Sequence, residues 1–134
     1  MRIHHVGYLV DDIEISAAEF ESLCFTRVGK VIEDSNRLIN VLFLKNGEHM
    51  VELIQPLNDS SPYHGLRKKH RNSPYHLCIQ TDDLQECIDK MKAHHGHILI
   101  QPPQPAPAID GSPKVAFLLN RHIGMIEHME NQSE

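Results

Sequence analysis

"HVGYLVDDI", residues 5–13, is answered by "HLCIQTDDL", residues 76–84. Both begin with His, pass through an extended-looking run and end Asp-Asp-apolar, and the partner lies 71 residues on at every position. A repeat of this length points to a fold built twice from one supersecondary unit. After each Asp-Asp the apolar spacing turns helical, through Ile13, Ala17, Phe20 and Cys24, then through Leu84, Cys87, Ile88 and Met91. Asp11 with Glu14, and Asp82 with Gln85, have the spacing of capping-box pairs, and Gly96 follows the second helix as a stop.

Three strand-like runs follow each helix. They are "RVGKVIED", "LINVLFLK" and "MVELIQP" in the first half, and "HILIQP", "KVAFLLN" and "GMIEHM" in the second. Asn46-Gly47 is a hairpin signal. The reading is α+β: one domain over 1–134, made of a βαβββ module at 1–57, a linker at 58–72 and a second βαβββ module at 73–130. The Pro-rich "PPQPAPA" at 102–108 reads as a connecting loop or semi-rigid rim.

The 134 residues suffice for one ordinary domain with a core. A net charge of −5 argues against nucleic acid as a partner. No apolar stretch approaches a membrane span, and no signal peptide is expected ahead of the first strand. Three cysteines without zinc spacing fit reduced thiols in a cytoplasm.

Strand side chains alternate between faces. Val6, Tyr8 and Val10 suit the helix side, as do Leu77 and Ile79, and Val51, Leu53 and Ile126. His5, Glu52, His76 and Glu127 then lie on the face away from the helices. Buried carboxylates need a partner or a metal. Two carboxylates and two imidazoles can bind one divalent ion, with Zn, Ni, Co, Fe and Mn all compatible with mixed N/O ligation. A lone strand His or Glu is ordinarily structural, and it is the matched pairs that single these four out. Cys78 shares the face of His76 and is a candidate pocket residue, although packing is its ordinary role. The basic run "LRKKHR" at 66–71, with Arg67, is either a solvated linker or a rim contact for phosphate groups.

These residues resemble the vicinal oxygen chelate (glyoxalase/bleomycin resistance/dioxygenase) superfamily along nearly the whole chain. "IHHVGYLVDDI", "VELIQPLNDSSP", "YHLCIQTDDL", "KVAFLLN" and "GMIEHME" resemble methylmalonyl-CoA epimerases most, and the His/Glu/His/Glu set also resembles bacterial glyoxalase I. The resemblance implies two βαβββ modules forming a cupped, incomplete barrel, a homodimer, and one divalent ion on His5, Glu52, His76 and Glu127. It implies Glu127, then Glu52, as the catalytic base. Where the epimerases carry a further catalytic Glu, this chain has Asn36, a candidate substrate contact that cannot accept a proton; Asp34 stands two residues away. The "FLHP" of the family reads Phe117-Leu118-Leu119-Asn120 here.

The activity implied is metal-dependent enolate chemistry on a small carbonyl compound or acyl-CoA thioester, as in an epimerase. A glyoxalase-type lyase acting on a hemithioacetal is the second enzyme reading. A metal-free small-molecule binding or resistance protein is the reading from another class.

Overall fold

The computed structural model describes residues 1–132; residues 133 and 134, counted in the expected single domain, lie outside the described residues. In chain order the elements are β1 (Arg2–Leu9), α1 (Ile13–Ser22), β2 (Thr26–Asp34), β3 (Ile39–Asn46) and β4 (His49–Pro56). Then come α2 (His64–Lys69), β5 (Ser73–Thr81), α3 (Leu84–His95), β6 (Ile98–Pro105), β7 (Lys114–Asn120) and β8 (Gly124–Glu130). The expected α+β class, with the βαβββ order written twice, is present.

The chain divides into two compact units, one of residues 5–75 and one of residues 1–4 with 76 onward. In the first, strands run in the order β2-β3-β4-β1. β1 is parallel to β4, with Gly7 opposite Glu52, and the other neighbours are antiparallel. In the second the order is β5-β8-β7-β6. There β5 is parallel to β8, with Cys78 opposite Glu127. In each unit the strand before the helix pairs with the last strand of its module. This is the repeat seen as register.

Each unit buries one sheet face under its helix. Val10, Leu42, Leu44, Val51 and Leu53 pack with Ile13 and Ala17 of α1, and Tyr8, Phe20 and Phe25 close the edge. Ala116 and Leu118 pack with Leu84 and Ile88 of α3, joined by Met91 and Leu99. Removing this apolar surface from water is the main stabilising term for each unit.

Four details differ from the sequence reading. The caps are Asp12 and Asp83, one residue later than expected: Asp12 accepts from the amides of Glu14 and Ile15 at 3.0 Å, and Asp83 from that of Glu86 at 3.0 Å. The first Asp of each pair is drawn elsewhere, Asp11 to Arg71 and Asn72, and Asp82 to Asn131. Cys24 lies beyond α1, exposed and at φ 67°, so it does not continue the helical stripe. The linker contains α2, a helix of six residues. Finally, β6 runs through Pro102 and Pro103 to Pro105, where a loop was expected. Proline is tolerated there because β6 is the last strand of its unit and carries two register shifts.

Candidate metal centre

In unit 5–75, His5 stands two residues before Gly7, the register partner of Glu52. In the other unit, His76 stands two residues before Cys78, the partner of Glu127. Residues two apart share a strand face, so each unit brings its His and Glu together by the same geometry. His5 Nε2 lies 3.3 Å from Glu52 Oε1, and His76 Nε2 lies 3.3 Å from Glu127 Oε1. The exposures are 1% for His5, 7% for Glu52, 4% for His76 and 4% for Glu127.

An aromatic ring completes each pair. Phe43 is opposite Glu52 in register and meets the His5 ring edge-on, with centroids 5.2 Å apart. Phe117 is opposite Glu127 and meets His76 in the same way at 5.3 Å. Neither phenylalanine was a candidate site residue from the sequence, although Phe117 heads the stretch that answers the family's "FLHP". Their signal is a second repeat: Val41, Phe43, Leu44 and Asn46 recur 74 residues on as Val115, Phe117, Leu118 and Asn120.

The donors suit a divalent cation. Two ligand atoms at bond lengths of about 2.1 Å from one ion, at roughly right angles, lie about 3 Å apart. Each pair already has nearly that separation. Each holds a carboxylate in a place too enclosed for water to solvate it well, where a cation would offset the desolvation cost. All four side chains are buried and each offers one donor atom.

Asn36 is exposed, in the turn after β2, and its N–H donates to Asp34 Oδ1 at 3.1 Å. Asp34 is engaged further. Its Oδ1 also accepts from the Arg37 amide at 3.1 Å and its Oδ2 accepts from Arg37 Nη1 at 2.7 Å, with both side chains buried. Ser61 Oγ donates to the Arg37 carbonyl at 3.0 Å. The turn that carries Asn36 is therefore built on a buried ion pair that engages both oxygens of Asp34. The sequence signal was Asp and Arg three residues apart, which is common on surfaces and says nothing of burial.

The other two candidate contacts have partners of their own. Cys78 is fully buried in an apolar cluster with Ala106, Val115 and Met129. Arg67, on α2, has its Nε 3.8 Å from Asp11 Oδ1. Asp11 gathers Arg71, Asn72 and Arg67, and the hydrogen bond from Arg71 holds its carboxyl below the usual carboxylate range. Elsewhere in the second unit, His128 is buried on β8 with Nδ1 3.5 Å from Cys87 Sγ. Burial pushes the His128 imidazole down and the Cys87 thiol up.

The chain is 27% identical over 99 residues, 73% of its length and 74% of the relative's, to an ethylmalonyl-CoA/methylmalonyl-CoA epimerase of Cereibacter sphaeroides. It is 28% identical over 99 residues to the mitochondrial methylmalonyl-CoA epimerase of Bos taurus, a match that covers 73% of this chain and 57% of that protein. The chain thus spans little more than half the length of that mitochondrial relative. A crystal structure of methylmalonyl-CoA epimerase from Mycobacterium tuberculosis shares the fold, with a TM-score of 0.81 at 18% identity over 98% of this chain and 88% of that one. Residues 3–117 match the model of the Glyoxalase/Bleomycin resistance protein/Dioxygenase superfamily, and the chain belongs to that superfamily.

Proposed function

We propose that this protein is a metal-dependent isomerase or epimerase that moves a proton on the carbon next to a carbonyl, in a small acyl-CoA thioester such as methylmalonyl-CoA. The observation that carries the reading is the duplicated buried His–Glu pair, with His5–Glu52 and His76–Glu127 equally spaced at 3.3 Å. Epimerase relatives along most of the chain support it.

In this reading His5, Glu52, His76 and Glu127 together hold one divalent ion, of Co, Ni, Zn, Mn or Fe. When bound, that ion supplies Lewis-acid stabilisation of the charge that develops on the substrate's carbonyl oxygen. Glu127 takes the α-proton, with Glu52 the second candidate; each is the cross-strand neighbour of a phenylalanine. His5 and His76 keep their orientation through the edge contacts of Phe43 and Phe117. Asn36, in place of an acid, contacts the substrate without accepting a proton, so one face of the α-carbon is served better than the other.

A homodimer and a cytoplasmic location belong to the same reading. The exposed Met1, Ile3 and Ile123 surround an apolar hollow of about 400 Å³, which supplies a surface for association. None of the three cysteines is in a disulfide, and among the described residues no helix is long and apolar enough to cross a membrane.

The test is solvent exchange. In D2O, methylmalonyl-CoA should take up deuterium at its α-carbon in the presence of protein and divalent metal. Chelation should stop uptake, and Glu127→Gln should slow it by roughly a hundredfold or more. Metal bound without exchange on any acyl thioester or 2-oxo compound would overturn the reading.

A further inference from the structure

We infer that the side-chain amide of Gln101 is a substrate contact, donating a hydrogen bond to an oxygen of the bound acyl compound, either its carboxylate or its carbonyl. This inference rests on the functional reading above.

At the start of β6, Ile98 faces Leu119 and Leu99 faces Leu118. Continued without interruption, that pairing would set Gln101 opposite Ala116, which packs under α3. Instead a register shift intervenes after Leu99, and Gln101 pairs with Phe117. The extra residue turns Gln101 from the helix side to the face that carries His76 and Glu127. A second shift follows before Gln104. Gln101 is therefore re-aimed by one bulge and released by another, and the flanking Pro102 and Pro103 stiffen the backbone just beyond it.

Gln101, Phe117 and Glu127 form one row across three strands. At ordinary strand spacing the row spans about 10 Å, the reach of a small acyl group laid over the Phe117 ring. Gln101 Nε2 is enclosed from solvent and has no hydrogen-bond partner among the described residues. Few buried polar atoms in native proteins lack a partner, and each that does calls for a physical reason. Turning the amide over would place its oxygen in the same enclosed spot, so one end stays unmatched in either orientation.

The sheet itself does not call for an amide there. In the other module, Phe43 corresponds to Phe117, and its register partner on the neighbouring strand is Val28. The repeat fills the equivalent place with an aliphatic side chain. The polar group is peculiar to the second module, as expected of a residue that reads one end of an asymmetric substrate.

The experiment compares the wild-type protein with Gln101→Met, which keeps length and removes the donor, and Gln101→Glu, which sets a negative charge in its place. Deuterium uptake by methylmalonyl-CoA is followed over substrate concentration, alongside metal content and melting temperature. We expect Gln101→Met to raise KM about 10- to 100-fold with kcat within a few-fold, the pattern of a lost binding contact. Gln101→Glu should be worse still. Both should keep full metal content, and Gln101→Met should melt no lower than wild type, because it removes an unmatched buried group. Full exchange at unchanged KM in Gln101→Met would overturn the inference and leave the functional reading standing. So would a loss of exchange that accompanied a fall of many degrees in melting temperature. Wild-type protein with bound metal and no exchange would overturn both.

Discussion

The ring of Phe117 meets that of His76 edge-on, with centroids 5.3 Å apart and planes at 88°. Edge-to-face contact restricts the imidazole without taking up a ring nitrogen. Phe117→Leu should loosen His76 and weaken metal binding about tenfold, the lower end of what support around a ligand is worth. Phe43→Leu should act alike through His5. Competition against a chelator of known affinity measures both, and unchanged affinity would mean that the rings only fill space.

Replacing a ligand should cost more than replacing its support. Purified protein should carry about one divalent ion per chain, and His76→Ala should reduce this to less than about a tenth after dialysis. Elemental analysis decides the matter. Full, tight occupancy in the variant would remove His76 from the site.

Asn36 tests the stereochemical asymmetry. Asn36→Glu restores an acid on the exposed turn, and it should speed epimerisation of methylmalonyl-CoA about tenfold or more while raising deuterium exchange far less. If epimerisation keeps pace with exchange in the unmodified protein, a second base is already at work.

The buried pair beneath that turn should be sensitive to removal of one partner. Arg37→Met leaves the Asp34 carboxylate buried without its cation, and urea unfolding should show a loss of about 3 kcal/mol. The double variant with Asp34→Asn should lose clearly less than the sum of the single losses. Additive losses would show that the two side chains act independently.

Asp11 links stability to pH. Its carboxyl is held low chiefly by the hydrogen bond from Arg71. A depressed acid stabilises the fold at pH values above its unfolded pKa of about 3.9, and the contribution is lost as pH falls through the lower folded value. Asp11→Asn should therefore melt a degree or two below wild type at pH 7, with the gap closing toward pH 3 and shrinking in high salt. A gap unchanged over that range would assign the difference to hydrogen bonding alone.

Much of this was legible in the chain. The 71-residue repeat, the change from period two to period 3.6 after each Asp-Asp, and Gly96 as a left-handed stop are local signals, and the elements follow them. Face assignment was legible too, because alternation in a strand is a property of the backbone. It placed Tyr8, Val10, Val51 and Leu53 under α1 and paired His5 with Glu52, and His76 with Glu127.

What the sequence could not carry is which of several like groups is buried, paired or turned over in the folded chain. Asp11 and Asp12 are identical in type and adjacent, and only the presence of Arg71 and Asn72 beside the first decides that the second caps α1. Asp34 reads as a spare base until Arg37 is seen buried against it. Strict alternation would put Gln101 under the helix, and the bulge that turns it over exists only in the pairing of β6 with β7. The sequence by itself determined the periodicities, and with them the elements and their faces, because these arise from each residue's own backbone geometry. The register, the burial of the ion pairs and the aim of Gln101 were decided by tertiary structure, because each depends on what packs around the group once the chain has folded.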